Sequence, residues 1–171
     1  MYNNKISKPG FLLAVSDYAK SKAFYETILE QKVATEIDGV MAEFESGFCI
    51  HSDYADLVEG GTAYAPRPTG ANVEMKIKPN NWQLAFEVEC MDSWIAKIKA
   101  VAEIGILHDV AEYNWGQRVF RFCDYDGHII EIGEDLKIVI KRFLSQGLSV
   151  EAVSERFGFP LEYVQQLLHT E

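Results

Sequence analysis

Apolar positions along the chain switch between a period of two and a period near 3.6, and the switches fall at turn residues. Phe11 to Val15 reads as a short buried strand, after which Ser16-Asp17 offers an N-cap. Tyr18, Phe24, Tyr25, Ile28 and Leu29 then fall near one helical face. Three short extended runs follow, at 32–36, 40–45 and 48–52, separated by the turn signals Asp38-Gly39 and Ser46-Gly47. Residues 53–82, punctuated by Gly60-Gly61, Pro66, Pro68, Gly70 and Pro79, read as a long connector with one short extended piece at 72–77. The same order then returns. Leu84 to Val88 is strand-like, 93–102 is helical through Trp94, Ile95 and Ile98, 106–110 is extended, and a hairpin turning at Asp124 to Gly127 closes the second copy.

The chain is thus expected to be α+β, built from two βαβββ modules at about 8–55 and 80–135. Matching the copies on their landmarks pairs Gly10 with Gln83 at the module heads, and His51 with Glu131, each four residues past its turn glycine. Alternation puts Ile129, Glu131 and Gly133 on one face of the last strand, and Ile130 and Ile132 on the other. The register that matches apolar faces sets Arg121 opposite Glu131 and Phe122 opposite Ile130. The first pair reads either as a plain cross-strand ion pair, worth under about 1 kcal/mol if exposed, or as part of a binding face. By the same parity His51 shares its face with Cys49, and Gln83 with Ala85 and Glu87.

At 171 residues, 48% hydrophobic and 25% charged, the chain suits one soluble globular domain with a small appendage. A net charge of −10 argues against nucleic-acid partners, whose binders present a basic face. Three cysteines, Cys49, Cys90 and Cys123, form no CxxC pair and leave one over, which fits a reducing cytoplasmic setting better than a disulfide framework. Neither an export signal nor a membrane-spanning apolar run is visible.

Three stretches carry a family likeness: Leu13 to Tyr25, Leu84 to Val88, and above all Trp115 to Glu131, reading WGQRVFRFCDYDGHIIE. Together, over residues 8–134, they resemble the vicinal oxygen chelate superfamily, the fold of glyoxalases, bleomycin-resistance proteins and extradiol dioxygenases. The resemblance implies that the paired modules form a cup, that the protein is a homodimer, and that its ligand is a small molecule. It also implies metal ligands at the first and fourth strand of each module. Those positions hold Gly10, which has no donor, and His51, Gln83 and Glu131, a mixed nitrogen and oxygen set suited to Zn²⁺, Ni²⁺, Mn²⁺ or Fe²⁺. This set lacks the two histidines and one carboxylate of extradiol dioxygenases.

Two functional readings follow from the likeness. In the first, a divalent metal supports lyase or isomerase chemistry beside a carbonyl, with Glu131 as ligand or catalytic base and Glu87 as a second carboxylate for either role. In the second, the protein sequesters an organic ligand without metal, as the bleomycin-resistance branch does. Glu87, Glu89, Asp109 and Glu112 would supply charge, Tyr113 and Trp115 a stacking surface, and Arg121 a partner for Glu131. Past residue 135 the pattern predicts three short helices in an extension, 136–171, with Ser149 as an N-cap. The last two have the spacing of a helix-turn-helix, but Glu162, Gln165, Gln166 and His169 on the last helix offer no Lys or Arg for phosphates, so a helical cap is the expected role.

Overall fold

The computed structural model describes residues 10–52 and 82–169. The chain divides into two compact units, Met1–Pro79 and Asn80–Glu171. The predicted connector, with its extended piece at 72–77, lies outside the described residues.

In the first unit, β1 (Phe11–Ala14), α1 (Tyr18–Ala23), β2 (Val33–Ile37), β3 (Met41–Phe44) and β4 (Phe48–His51) follow in the expected order. They form a four-stranded sheet ordered β1-β4-β3-β2, parallel only between β1 and β4. Asp17 caps α1, its carboxylate accepting the Lys20 N–H at 3.0 Å. Replacing Asp17 by alanine is expected to lower the unfolding free energy by about 1 kcal/mol, measurable by urea titration. The helix then widens into a π-helical turn over Phe24–Ile28, which keeps both Phe24 and Tyr25 buried. Tyr25 packs its ring against Phe44 and Phe48 at 5.7 and 5.1 Å, forming a core with Leu13, Leu29 and Ile50.

The second unit repeats the plan with β5 (Leu84–Val88), α2 (Met91–Lys99), β6 (Gly105–Glu112), β7 (Arg118–Cys123) and β8 (Ile129–Glu134), in sheet order β5-β8-β7-β6. The helix begins two residues before the predicted 93, because Ser93 belongs to its first turn and donates to the Cys90 carbonyl at 2.9 Å. The β7–β8 register is the predicted one, Arg121 opposite Glu131 and Phe122 opposite Ile130. Phe120, Phe122, Ile130 and Ile132 are fully buried, as are Met91 and Ile98 on the apolar stripe of α2, which contacts β8 and also carries the largely buried Ile95. Burial of each such side chain is worth about 1.5–3 kcal/mol relative to exposure. The hairpin turn is built around Asp124, whose Oδ1 accepts the N–H groups of Asp126 and His128 at 3.0 and 2.8 Å. His128, in the loop just before β8, sits 2.8 Å from Asp124 Oδ2 through Nδ1.

The extension folds as three helices, α3 (Leu136–Ser145), α4 (Val150–Phe157) and α5 (Leu161–His169), within this same second unit. Asp135 and Ser149 cap α3 and α4, and Gly158 ends α4 in the left-handed region at φ +70°. Val139, Ile140, Phe143, Val153, Phe157 and Val164 form its core. Trp115, from the loop before β7, packs against that core.

Candidate functional site

The second unit places a polar cluster on the sheet face opposite α2. Alternation from the observed registers puts Ala85, Glu87, Glu131, Gly133 and Arg121 on this side. Arg121 is its hub. Its Nε donates to Gln83 Oε1 at 2.9 Å, its Nη2 bonds the Tyr113 hydroxyl and pairs with Glu131, and its Nη1 lies 3.2 Å from His108 Nε2. A guanidinium only donates, so His108 Nε2 must accept, which places the ring proton on Nδ1, 2.6 Å from the Asp109 carbonyl it then bonds. Three of the five N–H groups of the arginine thus have hydrogen-bond partners, and Glu131 is its ion-pair partner. The Arg121 and Glu131 side chains are 22% and 13% exposed, so the pair is better shielded than an open surface ion pair.

Glu87 stands opposite Gly133 in the parallel register. Burial pushes its carboxyl pKa up, and the negative charges of Asp135 and Glu131 add to the effect. Gly133 matters by its missing side chain: a Cβ there would come within 3.3 Å of Gln117 Nε2 and 3.9 Å of Glu131 Oε1. Gln117 uses that space to donate to the Glu134 carbonyl at 2.9 Å while accepting from Trp115 Nε1 at 3.1 Å. The Trp115 and Tyr113 rings are in contact, 4.3 Å between centroids and tilted by 32°.

The structure therefore brings together Gln83, Tyr113, Arg121 and Glu131 by direct bonds, with Glu87 on the same face and Trp115 in ring contact with Tyr113. His51 belongs to the first unit, 7% exposed at the end of β4, opposite Met41 and Ala14. Within each sheet, the register also refines the pairing of modules. Glu131 is opposite Ala85, which leaves Gln83 two residues back on that face; His51 is opposite Ala14, and two residues back is Leu12 rather than Gly10. Neither Leu12 nor Gly10 carries a metal donor. Sequence reasoning missed His108 and Gln117, whose only signal was proximity to the Tyr113–Trp115 loop.

Two mixed four-stranded βαβββ sheets define a protein of the glyoxalase, bleomycin-resistance and dioxygenase fold. Residues 9–137 match the model of the glyoxalase-like domain family, and the chain belongs to that family. A structure from Agrobacterium tumefaciens str. C58, described as a protein of unknown function, is 30% identical with a TM-score of 0.57, covering 79% of this chain and 97% of its own. A hypothetical protein from S. aureus, SA1046, is 20% identical with a TM-score of 0.56, covering 77% of this chain and 96% of its own. The fosfomycin resistance protein FosX from Listeria monocytogenes, complexed with Mn(II) and sulfate, is 18% identical with a TM-score of 0.53, covering 83% and 99%. At these last two identities the likeness is one of fold. No curated protein matches the chain.

A divalent metal of the kind named with FosX can be tested against the residues present. Among the described residues, no group of three or more His, Cys, Asp and Glu side chains is arranged to hold a metal ion. More tellingly, the two metal candidates of the second unit, Gln83 and Glu131, are both bonded to one guanidinium. A divalent ion sharing them would sit within a few ångströms of a fixed positive charge, a repulsion of several kcal/mol even at an effective dielectric constant near 20. The pair does not fit a metal while Arg121 holds it.

Proposed function

We propose that this protein binds a small organic molecule without a metal, sequestering it rather than turning it over, on the face formed by Glu87, Tyr113, Trp115, Arg121 and Glu131. The observation that carries this reading is the guanidinium of Arg121, bonded at once to Gln83 and Glu131, the side chains that a metal-dependent relative would offer to its ion. It favours the metal-free alternative over the lyase chemistry that the family likeness also allows. Arg121 cancels the charge of Glu131, so the remaining negative group is Glu87, backed by the chain's net charge of −10. The ligand favoured by this balance is a planar cation, able to lie on an aromatic ring while meeting a carboxylate.

Proflavine, a planar aromatic cation, serves as the probe. Saturable binding followed by its fluorescence is expected, weakened at least tenfold by Glu87→Gln. Because burial raises the Glu87 pKa, that binding is expected to fade on acidification at a pH above the ordinary carboxylate range. In parallel, protein reloaded with Ni²⁺, Zn²⁺ or Mn²⁺ and desalted is expected to retain no stoichiometric metal. One metal per chain, lost in Glu131→Ala, would overturn the proposal, as would proflavine binding indifferent to Glu87.

A further inference from the structure

The loop between β6 and β7 joins the polar face to the helical extension. Tyr113 opens it, accepting the Gly116 N–H at 2.7 Å and donating its own N–H to the Gln117 carbonyl at 2.9 Å. Such loops ordinarily sit at the low-stability end of a fold. This one is fastened by the extension. Arg142 of α3 bonds the Gly116 carbonyl through Nη2, the Phe143 ring rests on Gly116, and Trp115 packs against the helical core. Arg142 is itself fixed, because its Nη1 lies 2.7 and 2.9 Å from the two oxygens of the fully buried Glu134. At the other end of the loop, Tyr113 bonds Arg121, which holds Glu131.

We propose that Arg142 is a positioning residue for the Arg121–Glu131 pair, acting through the 113–117 loop, so that the helical extension is part of the binding site rather than an appendage to it. This rests on the reading of that face as the ligand site. The physical argument is one of restraint. Arg121 has four anchors: Glu131 and His108 lie on strands of its own sheet and Gln83 immediately precedes β5, so only Tyr113 comes from the loop. Tyr113 lies just beyond the last residue of β6, so its hydroxyl keeps its place only while the loop does. The loop in turn offers its buried Gly116 carbonyl to Arg142, a charge-assisted bond that a neutral donor would not replace in strength. Releasing Arg142 frees Gly116, lets Tyr113 drift, and loosens the guanidinium whose orientation sets that of Glu131.

The test follows the Arg121 Nε proton by NMR in the full chain labelled with ¹⁵N-arginine, with the backbone N–H groups of Phe120 and Ile132, central in the β7–β8 ladder, as the gauge of the fold. In Arg142→Gln, exchange of the Arg121 Nε proton is expected to accelerate at least tenfold more than that of the ladder amides, which gauge the general loss of stability from taking one partner away from Glu134. Arg142→Lys, which keeps the charge but not the forked geometry, should restore part of the protection. Tyr113→Phe, which keeps the ring contact and removes only the oxygen, should accelerate exchange to a similar degree, and should add little when combined with Arg142→Gln. An Arg121 rate unchanged in either single variant overturns the proposal, and so does an equal acceleration of the ladder amides. The readout needs neither ligand nor metal, so its failure is distinguishable from failure of the binding reading.

Discussion

Replacing Glu134 by alanine is expected to lower the unfolding free energy by about 3 kcal/mol, against about half that for Glu134→Gln, in denaturant titrations near neutral pH. Glu134 is fully buried at the end of β8, on the apolar side of the sheet, where an unpaired charge would be costly. It is held by Arg118 Nη2 at 3.0 Å and by Arg142 Nη1 at 2.7 Å. Breaking a buried ion pair from one side typically costs about 3–5 kcal/mol, because the other partner is left uncompensated. Here the two arginine side chains are 32% and 29% exposed, so water takes up part of their charge, which sets the expectation at the low end. Glutamine keeps the volume and one acceptor oxygen and therefore avoids the cavity term. A loss below 1 kcal/mol in the alanine variant would mean the network contributes little.

The pH dependence carries the same signature. Burial opposes ionisation of Glu134, but the hydrogen bonds from Arg118 and Arg142 prevail and hold its pKa below the ordinary carboxylate value. A lowered folded-state pKa means that the unfolded chain takes up the proton first on acidification. The contribution is therefore fully present above the unfolded pKa, about 4.5 for a glutamate, and is lost as pH falls through the lower folded value. Glu87 works in the opposite sense: its raised pKa makes protonation favourable to the fold, so its penalty grows as pH rises from the unfolded value through the folded one. The difference in stability between the natural protein and Glu134→Gln should accordingly shrink below pH 4.5, and the difference from Glu87→Gln should shrink as pH falls from neutral toward that value.

Which parts of this arrangement could be read in the sequence follows from the range of the interactions. The β7–β8 hairpin was legible because a period of two and an Asp-Gly turn fix register locally, and that register alone sets Arg121 against Glu131. The three tail helices were legible through Ser149 and Gly158, which cap and end α4 by their own conformational preferences. Glu134 shares parity with Ile130 and Ile132, so its place on the buried side was implicit in the alternation, but its partner Arg142 lies on another element. His108 was not legible as a partner of Arg121, since irregularities in β6 on either side of it shift the pairing in a way that hydrophobic alternation does not encode. The module equivalence was read from landmarks as Gly10 with Gln83, whereas strand register favours Leu12. Parallel pairing between distant strands has no turn to fix it, and a slip of two residues keeps every side chain on its face.

The contact between Gly116 and Phe143 was the least legible feature, because a glycine adds no mark to a hydrophobic pattern, yet it yields a large expected effect. Gly116 has φ +90°, and a Cβ built there would lie 2.2 Å from Phe143 Cζ and 2.7 Å from Cε2. The ring has little room to retreat. It is 4% exposed, meets Phe157 edge-on at 6.2 Å, and is covered on a face by the Arg156 guanidinium at 4.3 Å. Gly116→Ala therefore combines the strain of a positive φ, about 1–2 kcal/mol, with overpacking of about 1–3 kcal/mol, and a total near 3 kcal/mol is expected in thermal or denaturant unfolding. A double-mutant cycle separates the two. Phe143→Ala alone should cost about 3–5 kcal/mol through the cavity it leaves, but in that background Gly116→Ala should cost only its backbone strain. The cycle should thus return a coupling of at least 1 kcal/mol in the sense of relief. Simple additivity would show that the ring does not press on the loop, and would remove one of the fastenings by which the extension holds Tyr113 in place.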